Sequence, residues 1–235
     1  MKFHIEQAFW DLFPGTTIGV VIAHGIDNQP IGEPVFAALL ADAVAAATAR
    51  LGDKDLATHP AIAPWREAYR RFGVKPAKFR SSIESLLRSA RSQGVRSINP
   101  LVDLYNAVSL AHWLPCGGED LRMVRGDIRL ARADGAELFV PLGSSEEQPP
   151  QAGEVIYRDD EGVLCRCWNW REAERTKLTV ETTNAVLFVE ALPEMGRAAV
   201  EPACAELASL IRQHLGGHTR TEILAGTRSE IDLSA

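Results

Sequence analysis

The segment NPLVDLYNAVSL, residues 99–110, combines the start signals of a helix with three polar residues that an ordinary buried helix would not contain. An asparagine suited to cap a helix is followed by a proline, which fits the first helical turn. Asp103, Asn106 and Ser109 recur every three residues, so a helix places them on one side. This polar stripe faces either solvent, where it indicates no particular function, or a pocket, where it would form the functional surface of the protein.

Helical segments on both sides of residues 99–110 complete the helical part of the predicted fold. They are rich in Ala and Leu or carry an apolar stripe, and Pro, Ser or Gly marks their ends. These segments are residues 34–51, 59–73, 81–94 and 198–217. The sequence therefore predicts about five helices.

Strands are predicted at the N-terminus and throughout the second half of the chain. MKFHIEQAFWDLFPG is interpreted as a strand followed by a turn, and PCGG (115–118) as the turn that ends the central helix. The other predicted strands are residues 16–26, 127–135, 136–143, 153–160, 162–170 and 177–192, with a hairpin turn at DDEG (159–162).

The order of these elements predicts an α+β fold, because helices precede a strand-rich half without regular alternation. We expect mixed and antiparallel sheets packed with helices in one domain over residues 1–217. Residues 218–235 are expected to form a polar C-terminal tail.

Composition limits the classes of partner. Hydrophobic residues make up 46% of the chain and charged residues 24%, with a net charge of −6. This acidic balance argues against overall attraction to DNA or to an anionic membrane, although it leaves room for a local basic patch. No apolar run reaches the length that spans a bilayer, and the N-terminus lacks signal-peptide features. We therefore expect a cytoplasmic protein with no membrane partner.

Cofactor and metal motifs are missing from the sequence. It contains no nucleophile elbow, phosphate-binding loop, dinucleotide fingerprint or H-E-x-x-H pair. His214 and His218 have helical spacing, but two glycines between them end the helix. Cys165 and Cys167 are expected to share one face of a strand as reduced thiols. We therefore expect neither a metal nor a cofactor.

Basic residues are concentrated between residues 66 and 96, where three aromatic residues interleave with them. Cations combined with aromatic platforms are typical of proteins that bind single-stranded RNA. The alternative for each cation is an ordinary solvated helix face. The candidates for RNA contact are Arg66, Arg70, Arg71, Lys78 and Arg80.

Three stretches resemble a known family: residues 59–89, residues 98–121 and residues 153–179. They are similar to the B3/B4 domain, which forms the editing module of the phenylalanyl-tRNA synthetase β subunit and also occurs as free-standing proteins. NPLVDLYNAVSLAHWLP parallels the N-x-x-V-D-x-x-N-Y helix of the synthetase and the turn that follows it. The resemblance extends over roughly residues 10 to 215, which leaves no room for aminoacylating modules.

The resemblance implies roles at the substrate end of a pocket. Asn106 matches an asparagine that lines the pocket of the synthetase, and Tyr105 replaces a small hydroxylated residue just before it. Gly117 stands where the synthetase has a histidine close to the attachment point of the amino acid. Glu190 matches the glutamate that recognises the hydroxyl group of a mischarged tyrosine.

Further site residues follow from the same resemblance. Trp168, Asn169 and Trp170 lie where the synthetase has a glycine-rich pocket wall. Asp103 would brace the helix from behind, and backbone N–H groups around Gly117 and Gly118 would orient the ester or the water.

The resemblance implies an activity, with a non-catalytic alternative. The expected activity is deacylation of mis-aminoacylated tRNA by a positioned water, with the 3′ end of tRNA as partner. Bulkier walls and a missing histidine put tyrosine specificity in doubt. The alternative is a non-catalytic module that binds RNA or an amino acid on the same scaffold.

Overall fold

The computed structural model describes residues 1–29, 34–226 and 228–234, and within these ranges the chain forms six helices and two sheets. The helices are α1 (Gln7–Leu12), α2 (Pro34–Leu51), α3 (Ala63–Arg71), α4 (Ser82–Ser92), α5 (Pro100–His112) and α6 (Gly196–His214). The strands are β1 (Lys2–Ile5), β2 (Thr17–His24), β3 (Cys116–Asp120), β4 (Ile128–Arg132), β5 (Val155–Arg158), β6 (Val163–Arg166), β7 (Arg171–Glu172), β8 (Asn184–Ala191), β9 (His218–Ala225) and β10 (Glu230–Asp232). The predicted α+β class is confirmed.

The two sheets differ in their pairing. The mixed sheet has the order β10-β1-β4-β5-β6-β7, in which β1 runs parallel to β4 and the other pairs are antiparallel. The antiparallel sheet has the order β3-β8-β2-β9. The strand β3 therefore lies at one edge of the antiparallel sheet.

The antiparallel sheet is buried on both faces because its side chains alternate between two cores. One face packs on the mixed sheet, where Phe188 contacts Phe3 and Tyr157 with ring centroids 4.9 and 4.7 Å apart. The other face packs on α5 and α6, with Leu187 and Val189 among the buried residues. This arrangement directs the side chains of alternate β8 residues towards the mixed sheet.

The central helix begins and ends as predicted, and two of its three polar residues have partners within the chain. The Asn99 side chain accepts a hydrogen bond from the N–H of Val102 at 3.1 Å. Asp103 is buried and accepts hydrogen bonds from the hydroxyl of Ser97 and from the N–H of Ile98. Ser109 is also buried and donates to the carbonyl of Leu114 at 2.6 Å.

The N-terminal segment is not simply a strand and a turn. After β1 the chain forms the short helix α1, which brings the total to six helices. Phe9 and Phe13 are four residues apart, so a helical turn places both rings against Trp168, at centroid distances of 4.9 and 4.8 Å. Burial of these aromatic rings outweighs the strand-like alternation of the sequence.

The predicted turn at residues 115–118 is wrong, and so is the prediction that Cys165 and Cys167 share one face of a strand. Residues 116–120 form β3, in which Gly117 pairs with Phe188. Cys165 lies in β6, but the chain leaves the strand at Cys167, whose φ is 47°, and Trp168 has a φ of 66°. These left-handed residues end the regular alternation, so Cys165 and Cys167 do not share a strand face.

The second half of the chain departs from prediction at two further places. Residues 136–143 are not a regular strand, and only Pro141 forms a β-bridge, with Ala173. The predicted polar tail after residue 217 is wrong for the described residues, because β9 pairs with β2 along its whole length and β10 pairs with β1. The polar residues that indicated a tail lie on the exposed side of an edge strand, while Leu224 is buried.

One helix of the described residues, α2, is long and apolar enough to cross a membrane by length and composition alone. The sequence-based expectation that no such run exists is therefore wrong by this criterion. A helix packed within a protein passes the same test, and α2 packs on α4 and α5.

Candidate functional site

A pocket lies where the edge strand β3 approaches the mixed sheet. Gly117, Trp168, Asn169 and Glu190, all predicted at the substrate end, line it together. We call it the Glu190 pocket. The space open to the centre of a water molecule is about 20 Å³, which holds about one water.

Glu190 is held by three donors of the chain. The Tyr157 hydroxyl and the Trp168 indole N–H donate to Oε1 at 2.5 and 2.7 Å. The Asn169 amide donates to Oε2 at 2.6 Å. Burial raises the pKa of Glu190 to about 7, while these hydrogen bonds act in the opposite direction because they favour the ionised form.

The turn after β6 positions two of these donors. The left-handed residues at 167 and 168 direct the Trp168 ring inward, where it packs against Trp65 at 5.0 Å. The Tyr69 hydroxyl donates to the Asn169 carbonyl oxygen at 2.9 Å, so the Asn169 amide nitrogen is directed at Glu190. Packing and hydrogen bonding thus fix the orientation of the pocket wall.

Two further glutamates line the pocket, and sequence reasoning missed both. Glu119 of β3 is 2% exposed, and Glu172 of β7 lies close enough for the two carboxyl groups to share one proton. Each has one oxygen, Oε2, without a hydrogen-bond partner. The two residues are 53 positions apart on strands of different sheets, so no local sequence pattern connects them.

The protonation of this pair follows from its surroundings. Burial and the neighbouring Glu172 carboxylate raise the pKa of Glu119 well above its usual range. Burial raises the pKa of Glu172 to about 6. Burial and the mutual repulsion of the two carboxylates therefore favour one proton shared by the pair.

Gly117 and Gly118 face opposite sides of β3. A Cβ at position 117 would lie 2.6 Å from Oε1 of Glu172, so a side chain there would displace the carboxylate. A Cβ at position 118 would lie 2.5 Å from the carbonyl oxygen of Val186. Gly118 therefore faces away from the pocket.

The backbone of β3 presents N–H groups at the edge of its sheet. The N–H of Glu190 donates to the carbonyl of Pro115, and that of Leu121 to Asn184. Antiparallel alternation then directs the N–H groups of Cys116 and Gly118 away from β8. The N–H of Asp120 points the same way and binds Thr176.

The remaining predicted substrate residues do not line the pocket as far as the described residues show. Asn106 is half-buried on α5. Tyr105 lies near Glu172. Burial and, next, this neighbouring carboxylate raise the pKa of the Tyr105 phenol. Trp170 packs on Phe79 at 4.6 Å, and Asp103 braces the start of α5.

Most of the predicted RNA-binding cations contact other parts of the fold. Arg66 and Arg88 bind the fully buried Glu84 at 2.7 and 3.0 Å, and Arg80 lies 3.8 Å from it. Arg70 pairs with Glu67 at 2.9 Å on the surface.

The other two cations stack on aromatic rings. The Arg71 guanidinium donates to the Leu12 carbonyl and lies 4.9 Å from the centre of the Phe13 ring. The Lys78 ammonium lies 5.1 Å from the centre of the Phe79 ring. An open groove of about 430 Å³ beside α3 is lined by Arg66, Arg70 and Lys75.

A comparison with known protein families identifies the family of this chain. The family model for the B3/4 domain matches residues 64–216. The chain belongs to the B3/4 domain family. The predicted resemblance is thereby confirmed. A search of curated proteins finds no match.

A solved structure similar to this B3/4 domain protein is an N-terminal fragment of the phenylalanyl-tRNA synthetase beta-subunit from Pyrococcus horikoshii. The identity is 15% and the TM-score 0.49. The match covers 93% of the present chain and 50% of the fragment, so the chain spans about half the length of that protein fragment.

Proposed function

We propose that this protein hydrolyses the ester bond of mis-aminoacylated tRNA, acting on tRNA charged by a separate synthetase. Its membership of the B3/4 family supports this proposal. The observation that carries it is the convergence of Gly117, Trp168, Asn169 and Glu190 on one pocket. These residues come from three separate segments, and the resemblance had assigned each of them to the substrate end.

The chemistry requires little beyond positioning, because an aminoacyl ester is already activated. The protein must hold a water near the carbonyl carbon and stabilise the oxyanion that forms. The Glu190 pocket has room for about one water. The N–H groups of Cys116 and Gly118 would stabilise the oxyanion, and Asn106 would orient the ester from the side of α5.

The proposed partner is the 3′ end of tRNA, which the protein would meet in the cytoplasm. The groove lined by Arg66, Arg70 and Lys75 offers cations to phosphates despite the net charge of −6. Binding through such contacts weakens as the salt concentration rises.

A non-catalytic binding module on the same scaffold is the second candidate. It is favoured by the saturation of Glu190, whose two oxygens already accept three hydrogen bonds from the chain. Such a protein would bind tRNA or an amino acid without turnover.

The test is deacylation of aminoacyl-tRNAs that carry each of the twenty amino acids, including mischarged pairs. We expect at least one to be hydrolysed above the buffer rate, and Asn106→Ala to slow that reaction. His112→Ala is the matched control on the same helix, since His112 pairs with Glu206 outside the pocket. Hydrolysis of none of them, with salt-dependent tRNA binding, would favour the non-catalytic module.

A further inference from the structure

The space beside Gly117 is occupied by a carboxylate. Oε1 of Glu172 would lie only 2.6 Å from a Cβ at position 117, closer than real Cβ contacts allow. Because residue 117 is a glycine, the Glu172 carboxyl group can lie against β3.

The carboxyl groups of Glu172 and of the buried Glu119 line a space that holds about one water. Oε2 of Glu172 and Oε2 of the buried Glu119 are closed off from water, whereas Oε1 of Glu172 lies beside Gly117, which lines the space. A buried polar atom without a partner costs free energy, so the two carboxyl groups favour one proton held between them, and Oε1 of Glu172 is the oxygen placed to accept from a bound water. The hydroxyl of Ser82 at the start of α4 is likewise buried without a partner and lines the same space.

We propose that Glu172 is the general base that activates the hydrolytic water, and that Glu119 is a positioning residue that holds the shared proton and orients Glu172. The inference rests on the proposed deacylase function and names the residue that performs its proton transfer. In this protein the Glu172 carboxylate, from β7, occupies the space that a side chain at position 117 would fill.

The reaction needs no reactant other than the aminoacyl ester and one water. The water oxygen forms a bond to the ester carbonyl carbon while one water proton passes to Glu172. Collapse of the tetrahedral intermediate breaks the bond between that carbon and the ribose oxygen, which receives the proton from Glu172. The products are the free amino acid and the tRNA with its ribose hydroxyl restored.

A general base is most effective when its pKa lies near the working pH, and burial raises the pKa of Glu172 to about 6. The titratable and charged groups around the pair come from several elements: Cys116 and Glu119 of β3, Tyr105 of α5, Tyr157 of β5, Cys165 of β6, Glu190 of β8, and Arg175 after β7. Glu190, whose pKa burial raises to about 7, titrates close to Glu172. Variants of Glu172 itself are therefore needed to assign the ionisation.

The experiment measures deacylation of the aminoacyl-tRNA that the wild-type protein cleaves fastest. We expect Glu172→Gln to lower kcat about a hundredfold or more with little change in KM, in the range of general-base catalysis. Added formate should restore part of the activity of Glu172→Ala. Glu174→Gln is the matched control, because Glu174 pairs with Lys177 outside the pocket; it should keep the wild-type rate.

Three further variants keep the test independent of folding defects in Glu172→Gln. Gly117→Ala leaves both carboxyl groups in the chain but displaces Glu172, and should also lower kcat. Glu119→Ala removes a hydrogen bond that favours ionised Glu172, so the midpoint of the pH–rate profile should move above pH 6; Glu119→Gln, which can still donate, should restore it.

The outcomes separate this inference from the proposed function. A wild-type protein that hydrolyses aminoacyl-tRNA, with Glu172→Gln or Gly117→Ala equally active, overturns the inference and leaves the deacylase function intact. A wild-type protein that hydrolyses no aminoacyl-tRNA overturns both.

Discussion

Two groups of buried glutamates, Glu84 in one and Glu119 with Glu172 in the other, are stabilised in opposite ways. Glu84, within α4, is fully buried and is surrounded by three guanidinium groups. Glu119 and Glu172 contact no cation among the described residues and share one proton instead. A carboxylate that is fully paired with cations is a structural element, whereas one that lines a water-sized space without a cation is available for chemistry.

Glu190 is intermediate between these groups. Three neutral donors satisfy it, so its negative charge is solvated by the protein without being neutralised. The comparison indicates that Glu84 and Glu190 determine where α4 and the pocket wall lie, while Glu172 would act on what enters.

The largest effect is expected on removing Glu84. Glu84→Ala leaves Arg66 partly buried with its main partner gone, which costs about 3–5 kcal/mol of unfolding free energy. Urea denaturation measures this loss. Glu67→Ala, which breaks the exposed pair with Arg70, is the control and should cost less than about 1 kcal/mol. Equal losses in the two variants would show that burial of Glu84 contributes nothing.

Glu190→Gln should destabilise the protein by about 2–3 kcal/mol, because an amide N–H₂ replaces one acceptor oxygen and faces a donor from Asn169 or Tyr157. Urea denaturation again provides the measurement. Tyr157→Phe removes one donor only and should cost about 1 kcal/mol. If Glu190→Gln is as stable as the wild type, the three hydrogen bonds do not hold the pocket wall.

Protonation of Glu172 should affect stability in a direction opposite to that of an ordinary paired carboxylate. The pKa of Glu172 in the folded protein, about 6, lies above its value in the unfolded chain. Its contribution to the free energy of unfolding is therefore present at low pH and is lost as the pH rises through 6. Between pH 4.5 and 7.5 the wild type should therefore lose about 2 kcal/mol more than Glu172→Gln. Unfolding free energies of both proteins across this range measure the difference. Parallel pH profiles would contradict the raised pKa.

The smallest effect is expected at the groove beside α3. Replacing Arg70 and Lys75 by Gln should weaken tRNA binding several-fold and reduce the dependence of log K on log salt by about 1–2, since each lost phosphate contact removes about one released counterion. Binding titrations at several salt concentrations measure both quantities. Arg197→Gln on α6, an exposed cation outside the groove, is the control. An unchanged salt slope would place the tRNA elsewhere.

Local patterns in the sequence were sufficient to predict several elements correctly. The cap and first turn of α5, the helix Pro34–Leu51 and the DDEG hairpin between β5 and β6 depend on neighbouring residues, so their signals lie within a few positions of each other. Resemblance added four residues that line one pocket. Local patterns failed where distant contacts decide the conformation, as at α1, whose rings pack on Trp168, and at β3 and β9, which exist because β8 and β2 pair with them.

The sequence by itself therefore determined the fold class, the central helix and the segments from which the pocket is built. Only the tertiary structure decided what the polar residues do. It assigned Asp103 and Ser109 to hydrogen bonds within the chain, and it brought Glu119 and Glu172 together across two sheets. The physical reason is that a buried carboxyl group is defined by its neighbours in space, and these neighbours are separated by dozens of residues along the chain.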